Sequence, residues 1–152
     1  MPIKPENKAR YPADWKTVRE SILARAMNRC EQCKVINGTR IARGAGTDHG
    51  TYMTSDAEVF DAEDGSFLGQ CRMSDYEVGR MTNIVLTVAH LDHQPENCDP
   101  SNLRAWCQMH HLRYDAEHHS VNARATRRAK LGNLELEFAD SQGGIPRTQG
   151  EG

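Results

Sequence analysis

Two pairs of metal-binding side chains, far apart in a chain of 152 residues, constrain this fold more than any other feature. The first pair is Cys30-Glu-Gln-Cys33 and the second is Cys107-Gln-Met-His110. A gap of two residues lets one tight turn aim both side chains at a single ion, which a sulfur ligand binds at about 2.3 Å. The spacing predicts a closed, four-ligand zinc site. Such a site is structural, because no position is left for a reacting water.

The identity of the fourth zinc ligand is open, because the chain has five cysteines and the second pair ends in a histidine. In a reducing compartment the two-residue spacing indicates metal binding before disulfides. Cys98 is an alternative to His110 as the fourth ligand, although His110 preserves the spacing of the second pair. Otherwise Cys71 and Cys98 are expected to be small, semi-buried residues or free thiols. A redox role for the first pair is disfavoured, because such a motif follows a strand and this one follows a predicted helix.

Composition predicts one domain with a small apolar core and no membrane segment. Hydrophobic residues make up 38% of the chain and nine residues are aromatic, so a metal ion would be a natural staple. No apolar run approaches the length of a membrane span, and the first ten residues contain no signal-peptide core. We therefore expect a cytoplasmic protein.

The charge is unevenly distributed along the chain. Residues 1–43 contain ten Lys and Arg against four Asp and Glu, whereas residues 44–79 contain one against eight. The acidic residues are thus concentrated in the insert at 38–80. The charge of the rest of the chain is compatible with binding to nucleic acid. Four basic residues crowd the end of the predicted second helix and are the candidates for phosphate contacts: Arg124, Arg127, Arg128 and Lys130.

Local patterns predict the elements of the N-terminal half. Residues 1–13, with three prolines, are expected to form an extended arm. Asp14 is a good N-cap for a helix that ends near the first cysteine pair at 30–33. Residues 39–57 are expected to be a loop, and residues 58–69 an acidic hairpin that turns at Asp64-Gly65.

The C-terminal half is predicted in the same way. A β-branched run at 84–88 favours a strand. A helix is expected at 111–130, where glycine and proline are absent. The alternating apolar residues at 131–138 indicate a short strand, and residues 139–152 are expected to be disordered.

The segment at 84–115 resembles the HNH endonucleases. A hydrophobic strand with His90 is followed by Asn102-Leu103 and then by Cys107, His110 and His111 at the start of a helix. Residues 11–33 resemble the entry of bacterial and phage members, in which the first cysteine pair joins the second. The resemblance covers about half of the chain. It implies an α+β fold with a ββα-metal core at 82–130, an N-terminal helix, a zinc knuckle pair and, in this chain, an inserted acidic hairpin.

The resemblance also implies roles for the histidines. The base falls on His90, and the ligand that precedes the base in the family falls on Ala89, which cannot bind metal. Two arrangements remain open: Asp92 supplies the missing carboxylate beside His90, or Asp92 and His93 are themselves the ligand and the base. Asn102 is expected to hydrogen-bond to the base imidazole and fix its tautomer.

The second half of the implied catalytic site lies on the helix. His111 matches the final metal ligand of the motif, and Asp115 lies four residues later on the same helix face. A carboxylate there suits Mg²⁺, with Mn²⁺ or Ni²⁺ as substitutes.

The activity implied by the resemblance is hydrolysis of DNA phosphodiester bonds with one divalent ion. His90 would take a proton from water, and the hydroxide would attack phosphorus while the ion stabilises the developing charge. Ala89 favours an alternative, a weakly active or inactive zinc-stapled DNA-binding module. A third possibility is an adaptor that binds proteins through the acidic insert.

Overall fold

The computed structural model describes residues 3–141, without the side chains of Glu117 and of residues 133–141. Within that range the chain is a mixed α+β fold with two antiparallel sheets and two α-helices. It divides into two compact units, one up to Leu112 and the other from Arg113. The tail predicted to be disordered at 139–152 is helical at 139–141, so that part of the prediction is wrong, and from residue 142 onward it lies outside the described residues. None of the described helices combines the length and the apolar character that crossing a bilayer requires.

The N-terminal segment is more ordered than the sequence predicted. A short 3₁₀ helix, Pro5–Arg10, stands where an extended arm was expected. Pro5 lies in its first turn, where the lack of an N–H costs nothing. Helix α1 follows at Trp15–Arg25 and ends before the first cysteine pair. It stops there because Met27 and Asn28 take positive φ values of 52° and 56°, which an α-helix cannot contain.

The acidic insert is a five-stranded antiparallel sheet and not a single hairpin. Its strands are β1 (Arg40–Gly44), β2 (Thr51–Met53), β3 (Glu58–Asp61), β4 (Phe67–Gln70) and β5 (Val78–Asn83). They lie in the order β4-β3-β2-β1-β5. The β3–β4 hairpin confirms the expected turn at 64–65. The loop predicted at 39–57 is wrong, because β1 and β2 lie inside it and are held by their pairing with each other, with β5 and with β3.

The second sheet is a two-stranded hairpin of β6 (Thr87–His90) and β7 (Leu103–Trp106). The predicted strand at 84–88 therefore begins later than expected. Its first residues instead bridge the two sheets, with Ile84 hydrogen-bonded to Thr39 and Gly38. In the hairpin, Val88 pairs with Ala105 and His90 pairs with Leu103. Residues that pair directly across an antiparallel sheet share a face.

Helix α2, Gln108–Ser141, begins one residue after Cys107 and is longer than predicted. The strand expected at 131–138 is wrong, because the helix continues through that range. Leu134, Leu136 and Phe138 alternate, but Leu131, Leu134 and Phe138 also fit helical spacing, and Leu and Glu are good helix formers.

The main buried cluster of the first unit surrounds the three cysteines of the predicted zinc site. Its other members come from the larger sheet and the segments flanking it: Val35, Ile41, Tyr52, Ala62, Ile84 and Leu86. A second cluster packs α1 against the hairpin, through Ile22, Leu103 and Ala105. Burying one such Leu or Ile side chain contributes about 1.5–3 kcal/mol. The cysteine pairs therefore lie where the larger sheet packs against the rest of the first unit.

Candidate metal centre and the surroundings of His90

Four predicted ligands converge in one buried cluster. The sulfurs of Cys30, Cys33 and Cys107 and a ring nitrogen of His110 all lie within 4.8 Å of one another. The Cys33 and Cys107 sulfurs are 3.8 Å apart, and His110 Nδ1 lies 3.3 Å from Cys107 Sγ and 3.8 Å from Cys30 Sγ. A tetrahedral zinc spaces neighbouring ligand atoms by about 3.5–3.8 Å. The cluster therefore fits a metal such as zinc.

Tight local structure delivers each pair of ligands. Lys34 donates its backbone N–H to Cys30 O at 2.9 Å and takes a φ of 61°, which closes the turn that carries the first pair. Cys107 directly follows β7, and its carbonyl accepts the backbone N–H of His111 at 3.0 Å in the first turn of α2. The second pair is thus set by a strand that passes straight into a helix.

The chemistry of the donors also suits a metal. Burial opposes protonation of His110, but hydrogen bonds to the sulfurs of Cys107 and Cys30 outweigh it and raise the pKa of the imidazole to about 9. A hydrogen bond with Cys107 is the main cause that lowers the pKa of the Cys30 thiol. The cluster thus stabilises a positive charge next to its sulfur atoms. A bound metal cation supplies that charge when it displaces the protons.

The alternative fourth ligand, Cys98, lies elsewhere. Its Sγ is 3.4 Å from Pro95 O and 3.9 Å from His90 Nε2. His110 occupies the fourth position in the cluster, so the two-residue spacing selected the correct residue. Cys71 is a half-buried free thiol beside Met53 Sδ at 3.4 Å, as the sequence predicted.

His90 lies in an aromatic pocket formed by the N-terminal segment. Its ring stacks on Trp15 at a centroid distance of 5.1 Å and meets the edge of Tyr11 at 5.8 Å. It is 9% exposed. Burial lowers the pKa of His90, and the charges of Asp92 and Glu96 only partly oppose that shift. The side chain is therefore neutral near pH 7 and able to accept a proton.

An ion pair holds the N-terminal segment near this pocket. Arg10 Nε donates to Glu96 Oε1 at 2.6 Å, and Arg10 Nη2 donates to Gln94 Oε1 at 3.1 Å. Both partners belong to the loop that follows His90. The ion pair thus ties the 3₁₀ helix to the loop, next to the Tyr11 and Trp15 side chains that cover the histidine.

Asn102 organises that loop. Its Nδ2 donates to Asp92 Oδ1 and to Asn97 O, both at 2.9 Å, and its Oδ1 accepts the Asp92 N–H at 3.2 Å. The expected hydrogen bond to the base imidazole is not among these contacts. Bonds from Asn97, from the Gln94 N–H and from Asn102 lower the pKa of Asp92 to about 2. Asp92 is therefore an ionised residue that shapes the loop.

His111 lies on the opposite face of the hairpin. Its Nδ1 is 2.8 Å from Thr87 Oγ1. Thr87 is three residues from His90, and side chains three apart on a strand point to opposite faces. A cavity of about 160 Å³ adjoins His111, lined also by Val85, Thr87, Gln108 and Leu112.

The predicted catalytic ligands do not gather into a second cluster. Among side chains that the structure describes, the Cys3His group is the one set of three or more ligands close enough to hold an ion. His90, Asp92 and His111 do not form another. His93 lies in the loop with a φ of 57°, and Asp115 belongs to the second unit. The four basic candidates for phosphate contacts, Arg124, Arg127, Arg128 and Lys130, are exposed on α2.

Sequence reasoning missed two sets of residues around these sites. Tyr11 was assigned only to the extended arm and Trp15 only to the first helix, although both cover His90. Arg43 lies in the range predicted as a loop, yet it is buried with its Nη2 4.0 Å from Cys107 Sγ. Nothing in the local sequence indicates either contact, because both join segments far apart in the chain.

No family model, curated protein or solved structure matches this chain.

Proposed function

We propose that this protein is an HNH-type endonuclease that hydrolyses DNA phosphodiester bonds with the aid of a divalent ion. One observation carries the proposal: an antiparallel hairpin, β6–β7, runs through Cys107 directly into α2. That order matches the ββα arrangement implied by the motif at 84–115. His90 ends the first strand and Asn102 precedes the second, as the motif requires.

The Cys3His cluster has a structural part in this proposal. It joins the segment that follows α1 to the point where β7 enters α2. With four protein ligands, the ion has no open position for water. It fixes the start of α2 relative to the hairpin and takes no part in the reaction.

His90 is the proposed proton acceptor. Its lowered pKa keeps the imidazole neutral at pH 7, which a general base requires. Tyr11 and Trp15 cover it, so the N-terminal segment must move for water to reach the ring. The Arg10–Glu96 ion pair is exposed on both sides, so solvent screens it and it does not prevent that movement.

The divalent ion implied by the motif is Mg²⁺, with Mn²⁺ or Ni²⁺ as substitutes. It would polarise a phosphoryl oxygen and stabilise negative charge. His111 is the proposed ligand, as the motif implies. His90 and His111 lie on opposite faces of the hairpin, so His90 is not a further ligand of that ion.

DNA affinity is assigned to the exposed basic residues of α2. Arg124, Arg127 and Arg128 are spaced three and four residues apart, so they share one face of the helix. Such a row of guanidinium groups suits contacts to phosphates, and the acidic residues are concentrated in the insert.

A second candidate is a zinc-stapled DNA-binding module without catalytic activity. The separation of His90 from His111 favours it, as does Ala89 at the position where the family has a ligand. It needs the Cys3His cluster and the basic face of α2, and neither His90 nor His111.

Plasmid cleavage separates the two candidates. The zinc-loaded protein is incubated with supercoiled plasmid and Mg²⁺, Mn²⁺ or Ni²⁺, with and without a chelator. The proposal predicts nicked or linear product that depends on the added ion. Plasmid that is bound but never cut under any of the three ions would support the binding module instead.

Two histidine variants then assign the base. His90→Ala should lower the cleavage rate by at least about 100-fold while leaving bound zinc and DNA affinity unchanged. His93→Ala is the matched control and should have a mild effect. If His93→Ala is inactive while His90→Ala cleaves at the wild-type rate, His93 is the base and the assignment is wrong.

A further inference from the structure

A buried arginine lies beside the metal centre. Arg43, on β1, is 9% exposed, and its Nη2 is 4.0 Å from Cys107 Sγ. Its Nε and Nη1 are buried with no hydrogen-bond partner among the described residues. Within the same part of the chain, no carboxylate lies at ion-pairing distance from it. A guanidinium in this position needs an anion, because burying an unpaired charge is costly.

The metal centre supplies that anion. Cysteine binds zinc as thiolate, so three thiolates and one neutral histidine around a divalent ion carry a net charge of about −1. The ligands themselves are buried, so solvent does not neutralise that charge. The guanidinium of Arg43 is in contact with one of these sulfurs, Cys107 Sγ.

The larger sheet makes two further contacts with the first cysteine pair. Tyr52, on β2, donates its hydroxyl to Cys33 O at 3.0 Å. Gly65, in the turn between β3 and β4, lies so close to Cys33 that a Cβ there would come within 2.5 Å of its carbonyl oxygen. The sheet is therefore packed closely on the knuckle, and Arg43 extends from it to the second pair.

We propose that Arg43 is the counter-ion of the metal centre, and that the five-stranded insert serves to place this charge against the thiolates. Arg43 neutralises the excess negative charge of the loaded centre. By stabilising the loaded centre in this way, it makes competing chelators remove the ion more slowly. Arg43 is a positioning residue and does not bind the metal itself. The inference concerns metal retention and does not rest on nuclease activity.

The test is the rate at which zinc leaves the full-length, zinc-loaded protein in excess chelator, followed with a zinc-sensitive dye. Arg43→Met removes the charge and keeps much of the side-chain length. We expect release about 10-fold faster or more than in the wild type. Arg40→Met is the matched control, because Arg40 lies exposed on the same strand. It should leave the release rate unchanged.

Two more variants separate charge from packing. Arg43→Lys keeps the charge and should release zinc nearly as slowly as the wild type, whereas Arg43→Gln should behave like Arg43→Met. Equal release rates for the Lys and Gln variants would overturn the proposal. So would a wild-type rate for Arg43→Met.

The variants remain informative if they fold poorly. If both neutral variants fail to fold with zinc and Arg43→Lys folds, the centre requires a positive charge at this position, which supports the proposal. If Arg43→Lys also fails, the position requires the shape of the guanidinium, and the counter-ion account is overturned. Because none of these readouts involves DNA, an inactive nuclease with normal Arg43 behaviour would refute only the proposed function.

Discussion

The metal centre and the surroundings of His90 were both predicted from short motifs, yet they differ in how the side chains come together. At the metal centre, two pairs of ligands from distant segments meet in one buried cluster. Around His90, the residues implied by the motif are divided between the two faces of a hairpin and a solvent-exposed loop. Two ligands separated by two residues are positioned by the local turn alone. The positions of the catalytic residues depend instead on which face of the hairpin each strand residue occupies.

The largest effect is expected at the metal centre. Cys107→Ser and Cys30→Ser should each abolish zinc retention and lower the free energy of unfolding by several kcal/mol, because metal binding stabilises only the folded chain. Elemental analysis and thermal melts measure both quantities. Cys71→Ser is the control and should retain zinc. A Cys107→Ser protein with wild-type stability would show that this cluster does not hold the fold together.

The basic residues of α2, for which DNA binding is proposed, offer a third region for comparison, since they belong to neither site. Replacing Arg124, Arg127 and Arg128 together by Ala should weaken binding at least about 10-fold and reduce the slope of log affinity against log salt, by about 0.9 for each phosphate that the protein no longer neutralises. Replacing the same three by Lys should largely preserve the slope. Titrations at several salt concentrations measure it. An unchanged slope in the Ala variant would mean that another surface of the protein contacts the DNA.

A smaller effect is expected in the loop that follows His90. Asn102→Ala removes three hydrogen bonds that hold Asp92 and Asn97. It should lower the free energy of unfolding by about 1–2 kcal/mol and leave zinc content unchanged. Denaturant unfolding and elemental analysis on one preparation check both. Loss of zinc in Asn102→Ala would mean that the two regions are one cooperative site.

The smallest effect concerns pH. The pKa of His90 is lower in the folded chain than its ordinary value of 6.5, so the unfolded chain takes up a proton first as the pH falls. Stability from this group is therefore present above pH 6.5 and is lost as the pH falls through the folded-state pKa. His90→Phe should show a shallower loss of stability on acidification below pH 6.5. The zinc ligands titrate in both proteins, so the difference between the two curves isolates His90.

The metal ligands could be predicted because their spacing is a local property. His110 was preferred to Cys98 because it preserves the two-residue gap, and the structure confirms that choice. The β3–β4 hairpin was predictable for the same reason, since Asp64-Gly65 specifies its turn within the segment itself.

Other elements depend on distant partners and were not predictable. The strands β1 and β2 are short and lie between glycines, and their pairing within the five-stranded sheet holds them. Residues 131–138 satisfy both helical and alternating spacing, so the pattern alone does not decide between them. The packing of His90 against Trp15 joins segments far apart in the chain, and no pattern around His90 indicates it.

Zinc-edge X-ray absorption on the purified, zinc-loaded protein tests the central claim most directly, namely that Cys30, Cys33, Cys107 and His110 form a closed centre. The account predicts one zinc per chain with three sulfur ligands at about 2.3 Å and one nitrogen ligand at about 2.0 Å. Its spectrum should be unchanged in Cys98→Ser. A fourth sulfur that disappears in Cys98→Ser, or oxygen ligands from water, would contradict it.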